Sequence, residues 1–188
     1  MGFSVRDYRT LSALGSMSAS RNVRSGRFYC SAGSDTLFEL YTTQIRPHLE
    51  YAAPVWDPCT ARSIKELKNT QKLALKICSK QWHNLEYQDL LDLAKCPTLH
   101  NRRLYFMLCT LYKIVHKLIY FPVDILPLRS NLSAPVPLLH QPFARTNSFF
   151  SSLVPSSVSL WNNLPHEALT ADSIQSFKSS LCPLFLCP

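Results

Sequence analysis

Glycine is scarce in this chain, at four in 188 residues. Phosphate-cradling loops and nucleophile elbows need glycine where the backbone makes a tight turn or approaches a ligand. No such motif occurs, which excludes P-loop, dinucleotide-fold and GxSxG chemistry. The seven cysteines are odd in number and include no CxxC pair. That spacing excludes a disulfide framework or a zinc finger and points to reduced thiols, hence to an intracellular protein of the nucleus or cytoplasm. The most apolar run, residues 104–121, is broken by Lys113, His116 and Lys117, so no membrane span is expected. Acids are few as well, 12 against 20 Lys and Arg. A net charge of +8 favours an acidic partner such as a nucleic-acid backbone, although a plain basic soluble protein would carry the same charge.

With 46% hydrophobic residues the chain can bury a core. Residues 1–33 show no sustained period and are expected to be loosely structured. Their first 27 residues, rich in Arg and Ser, have the composition of a mitochondrial transit peptide; unrelated leading sequence gives the same look. From residue 34 to 121 the pattern is helical. Thr36 and Glu39 form a candidate capping box, opening a helix with Leu37, Leu40, Tyr41 and Ile45 on one face. Pro47 should end or kink it. Pro54 should hold Ala53 away from helical angles, so a second helical turn ending near Ala52 is expected, followed by a buried loop up to Pro58. Arg46, His48 and Glu50 suit a polar network that satisfies this loop's backbone.

Residues 60–80 carry the clearest helical period. Lys65, Lys68, Lys72, Lys76 and Lys80 fall within an arc of roughly 120°, while Ile64, Leu67, Ala74, Leu75 and Cys78 form a core face. Charged helix faces are usually only solvated, yet five like charges on one stripe repel unless something anionic compensates them. A short helix follows at residues 85–95, burying Leu85, Leu90 and Leu93. Its Glu86, Asp89 and Asp92 drift by about 60° per step, so solvated acids explain them better than a metal row, and no metal or cofactor is expected. Residues 101–119 should be the longest helix, with Leu104, Leu108, Leu111, Val115 and Leu118 inward and Arg102, Arg103, Lys113 and Lys117 available to solvent or phosphate. Pro122, Pro127, Pro135, Pro137 and Pro142 make residues 122–142 a Pro-rich linker. A small C-terminal unit, 143–181, should follow, with Pro155 opening a helix that aligns Val158 and Trp161, and Asp172 and Gln175 capping a last helix before the tail at 182–188. The fold class expected is mainly α: a small helical bundle, a Pro-rich linker and a short C-terminal helical unit.

Residues 40–58, LYTTQIRPHLEYAAPVWDP, resemble the segment after the catalytic palm in reverse transcriptases of non-LTR retrotransposons, the LINE elements of the jockey and chicken-repeat groups. Leu40, Tyr41, Ile45, Arg46, Pro47, His48, Leu49, Glu50, Tyr51, Ala52, Pro54, Val55 and Trp56 match that pattern. Leu99, Arg102, Arg103, Leu104, Leu111, Tyr112, Lys113 and Ile114 fit a second family segment. Arg145, Ser148, Phe149, Phe150, Leu160, Trp161, Asn162, Leu164 and Pro165 fit a third, and Ser176, Phe177 and Lys178 a fourth. The resemblance covers roughly residues 27–181.

The resemblance implies a thumb-like helical region and the unit after it. In the intact enzyme such a thumb grips the primer–template duplex by its backbone. Lys65, Lys68, Lys72, Lys76 and Lys80, with Arg102 and Arg103, are then the candidate contacts to RNA or an RNA/DNA hybrid. Arg46, Pro47, His48, Glu50, Tyr51, Trp56, Trp161, Asn162, Leu164 and Pro165 become structural motif residues. Trp161 and Phe149 read as core anchors of the C-terminal unit rather than base-stacking residues, although stacking on single-stranded RNA is physically available to them. The family's chemistry uses adjacent Asp residues to hold two divalent ions, and this sequence has no Asp–Asp pair. The expectation is a catalytically incomplete fragment, not an enzyme. The rival expectation is a protein-interaction module, or a translated remnant without a role, with apolar surface on the helix at 36–45 where a palm would pack.

Overall fold

The computed structural model describes residues 33–58, 60–80, 85–121 and 138–186, apart from the side chains of Trp56 and Ser148. The expectations for residues 1–32 and for most of the Pro-rich stretch lie outside these. The chain is mainly α-helical, with no strand among the described residues. It divides into two compact units, residues up to 51 with 66–95, and residues 52–65 with 96 onwards.

In the first unit, α1 (Ser34–Leu40) begins two residues before the expected Thr36 cap. Gly33 is its N-cap in extended backbone, so Thr36 lies inside the helix. A π-helical turn, Tyr41–Ile45, then leads into α2 (Arg46–Glu50). Here the irregularity expected at Pro47 takes the form of the π-helical turn, and the expected second helical turn follows it as α2. Pro47 has no N–H to give, and its ring would crowd the carbonyl four residues back in a regular helix. The wider turn, in which the Arg46 N–H reaches Tyr41 O, accommodates it. Leu37 and Tyr41 are buried, while Leu40 is exposed. The helix α4 (Ala61–Ser79) runs across the boundary of the two units and buries Leu67, Gln71, Ala74, Leu75 and Cys78. The Cys78 thiol donates to Leu37 O at 3.3 Å, joining α4 to α1. The next helix, α5 (Tyr87–Ala94), buries Leu90 and Leu91 rather than the expected Leu93, which is exposed.

The second unit is organised around α6 (Leu99–Val115), whose N-cap Thr98 accepts from the Asn101 N–H at 3.1 Å. This cap places the start two residues before the expected one. The helix stops at Val115 because Lys117 turns into the left-handed region, and the Leu118 N–H closes back on Lys113 O. Leu118, expected inward, is therefore exposed. Before α6 comes α3 (Ala53–Trp56), a helical turn where a loop was expected. Pro54 sits in its first turn, where a missing N–H costs nothing.

Following the Pro-rich stretch are α7 (Asn147–Phe150), α8 (Leu153–Asn162), α9 (His166–Leu169) and α10 (Ile174–Phe185). The cap of α10 is Ser173, whose hydroxyl accepts from the Ser176 N–H at 3.1 Å, one residue after the expected Asp172. Pro155 lies two residues inside α8 instead of opening it. Of these, α8, α9 and α10 share one core with α6: Leu108, Leu111 and Tyr112 pack with Val158, Trp161, Ala168, Phe177 and Leu181. The C-terminal stretch thus borrows its cover from α6. Three such helices offer too little apolar surface to close a core alone.

Replacing Trp161, which is fully buried at this centre, by Ala is expected to cost about 3–5 kcal/mol of stability, measurable by urea unfolding of the full chain.

Candidate nucleic-acid interface

The lysine stripe lies on α4 because its core residues recur at three and four positions and fix which side faces inward. Lys68 is exposed, and Lys72 and Lys76 are half-buried. A half-buried lysine lays its methylenes along the protein and keeps its ammonium in water. The Lys68 ammonium sits 4.8 Å over the ring of Tyr87. The Tyr87 hydroxyl in turn donates to Gln71 Oε1 at 2.5 Å, and Gln71 is completely buried. This Gln71–Tyr87–Lys68 chain was not anticipated. Its signal was present in the sequence, since Gln71 falls on the core arc of α4 and not on the lysine arc. Lys65, one turn earlier on the same helix, is exposed and belongs to the second unit. Lys80 lies beyond the helix end in left-handed backbone, which takes it off the regular stripe. Ile64, placed on the core face by period, is exposed at 43% because it precedes the first covered turn.

Arg102 and Arg103 belong to the second unit. Arg102 lies over the Phe106 ring at 5.6 Å. Arg103, expected to be available to phosphate, is 2% exposed, and its Nε donates to Asp57 Oδ1 at 2.5 Å. It is an internal anchor that ties α6 to the residue after α3. His100 stands close by. Partial desolvation holds its pKa below the ordinary 6.5, with the Arg103 charge adding to the shift and Asp57 opposing it.

The structural motif residues divide in the same way. Arg46 and Glu50 form an i,i+4 pair at 3.7 Å, whereas His48 and Tyr51 are exposed. The side chain of Trp56 lies outside the description. In the second unit four of them, Trp161, Asn162, Leu164 and Pro165, have a physical job. Trp161 fills the core, Leu164 packs against it, and Pro165 is the N-cap of α9. The Asn162 amide clasps Leu139 with two bonds, accepting its N–H at 3.0 Å and donating to its carbonyl at 2.8 Å. Phe149, expected as a core anchor, is 43% exposed.

In α5, Asp89 accepts from the Glu86 N–H at 3.1 Å, and Gln88 donates to Asp92 at 3.3 Å. Among the described residues no cluster of three or more His, Cys, Asp or Glu is arranged to hold a metal ion. No helix among them is long and apolar enough to cross a membrane. Compared with protein-family models, curated proteins and solved structures, the chain shows no significant match.

Removing Asp57 strands a buried guanidinium, so Asp57→Ala is expected to cost about 3 kcal/mol, while the paired change Asp57→Leu with Arg103→Met should recover most of it. Chemical denaturation of the three proteins reads the difference. The lowered pKa of His100 means that the folded state favours its neutral form. That contribution is present above pH 6.5 and is lost as the pH falls through the folded value. His100→Gln should therefore lose less stability than the parent between about pH 7 and 5 in parallel melts.

Proposed function

We propose that this sequence corresponds to the thumb and post-thumb region of a non-LTR retrotransposon reverse transcriptase. In this reading it performs no polymerase chemistry, having no Asp–Asp pair, and retains sequence-independent binding of RNA or an RNA/DNA hybrid. The observation that carries the binding is the lysine face of α4, where Lys68, Lys72 and Lys76 recur on successive turns opposite a buried face. Closely spaced ammonium groups repel one another, and a row of phosphates relieves that repulsion while releasing condensed counterions. Lys68, held over Tyr87, is partly positioned before any phosphate arrives. Contacts of this kind recognise backbone charge and carry no base information.

A second reading, an interaction surface for a protein partner, draws on Leu40, which is 41% exposed between the buried Leu37 and Tyr41. Leu40→Glu would abolish such an interaction and leave phosphate binding intact.

Binding of a labelled RNA/DNA hybrid should weaken steeply with added salt. Lys68→Glu, Lys72→Glu and Lys76→Glu together should flatten the slope of log affinity against log salt by about 2–3. Full binding by the triple variant, with an unchanged slope, would sink the proposal.

A further inference from the structure

The segment just before α8 has an unusual surface. Phe143 is 88% exposed, Phe150 57% and Phe149 43%, with the exposed Arg145 among them. Three phenylalanines on one short stretch ordinarily find a core, and here none of them joins the core that holds Leu139, Val158 and Trp161. The stretch is nevertheless tied down on both sides. Before it, Asn162 clasps the Leu139 backbone, and the Gln141 amide donates to Pro155 O at 2.9 Å. After it, the hydroxyls of Ser152 and Ser156 donate to the carbonyls of Phe149 and Phe150 at 2.6 and 2.9 Å. Thr146 caps α7 by accepting from the Phe149 N–H. The aromatics are therefore presented on anchored backbone, which lowers the ordering cost of binding.

Charge selects the occupant. No Asp or Glu occurs from residue 125 to 166, so Arg145 has no carboxylate near it in sequence. Exposed aromatic rings on an acid-free stretch that also carries a guanidinium suit unpaired bases joined by phosphates, since every base has a face to stack and every linkage a charge. A duplex hides its base faces and cannot use such a surface.

We propose that Phe143, Phe149 and Phe150, with Arg145, form a stacking platform for single-stranded nucleic acid. The platform rests on the nucleic-acid reading for its class of partner, but on different residues and a different force. The α4 lysines attract phosphates of either form, whereas the platform distinguishes single strands from duplexes.

The test uses the full chain, a fluorescent oligouridine and a fluorescent RNA/DNA hybrid, followed by anisotropy. The variant Phe143→Ala/Phe149→Ala/Phe150→Ala should lose about ten-fold or more in oligouridine affinity, keep its hybrid affinity, and retain its salt slope and thermal midpoint. A strand carrying 2-aminopurine should be quenched on binding the parent chain but not the variant. Tyr at the same three positions should restore both signals, which controls for any folding defect. Unchanged oligouridine binding in the Ala variant, or equal loss for both probes, overturns the platform. If the Ala variant is silent while the α4 lysine variant loses both probes, the platform fails and the lysine reading stands. If the Ala variant loses oligouridine while the lysine variant binds the hybrid normally, the platform stands and the lysine reading fails. Parent protein that binds neither probe overturns both.

Discussion

Tyr112 sits where three stretches of the second unit meet. Its ring stacks on Phe177 at 4.5 Å and lies 6.4 Å from Trp161, while its hydroxyl donates to Ala171 O at 2.8 Å. One side chain thus supplies apolar area to α6, α8 and α10 together, and its polar tip satisfies the backbone between α9 and α10. Burial pushes its pKa up, and the Asp172 charge adds to the shift, so the hydroxyl stays a donor across the physiological range. Most of what surrounds it follows. With the aromatic centre closed by Trp161 and Phe177, Asn162 is held where it can clasp Leu139. The chain before α7 is then fixed, and Phe143 on it is left at the surface.

The first unit is built on a different principle, in which a buried polar group sets the position of a surface charge. Gln71 is fully buried, and a buried amide without a partner is costly. Tyr87 answers it with its hydroxyl and offers its ring to Lys68. The lysine face is therefore tied to the interior of its own unit, and a change at Tyr87 or Gln71 reaches the surface charge without touching a lysine. Arg103 shows the opposite use of a cation, spent entirely inside the second unit on Asp57.

Helix content and the α4 lysine face were legible because a period of 3.6 survives almost any tertiary context. Trp161 and Val158 were correctly aligned for the same reason. What the sequence concealed were the ends of helices and the depth of each turn. Lys117 adopts a left-handed conformation that neither glycine nor asparagine announces, and this put Leu118 outside. Pro47 signalled a break that a π-helical turn absorbs. Arg103 looked like its neighbour Arg102, because charge alone does not say that Asp57, far away in sequence, lies opposite. The boundary expected after residue 121 assumed that prolines separate cores. The C-terminal helices instead close on Leu108, Leu111 and Tyr112.

If Lys68, Lys72 and Lys76 meet phosphate, a bound hybrid shields their ammonium groups. Acetylation footprinting of the full chain, with and without an RNA/DNA hybrid and read by mass spectrometry, tests this directly. Protection of Lys68, Lys72 and Lys76 by the hybrid is expected, with Lys113 and Lys117, on and just after α6, labelled equally in both samples. Equal labelling of the α4 lysines with and without the hybrid, under conditions where the hybrid is bound, would contradict it.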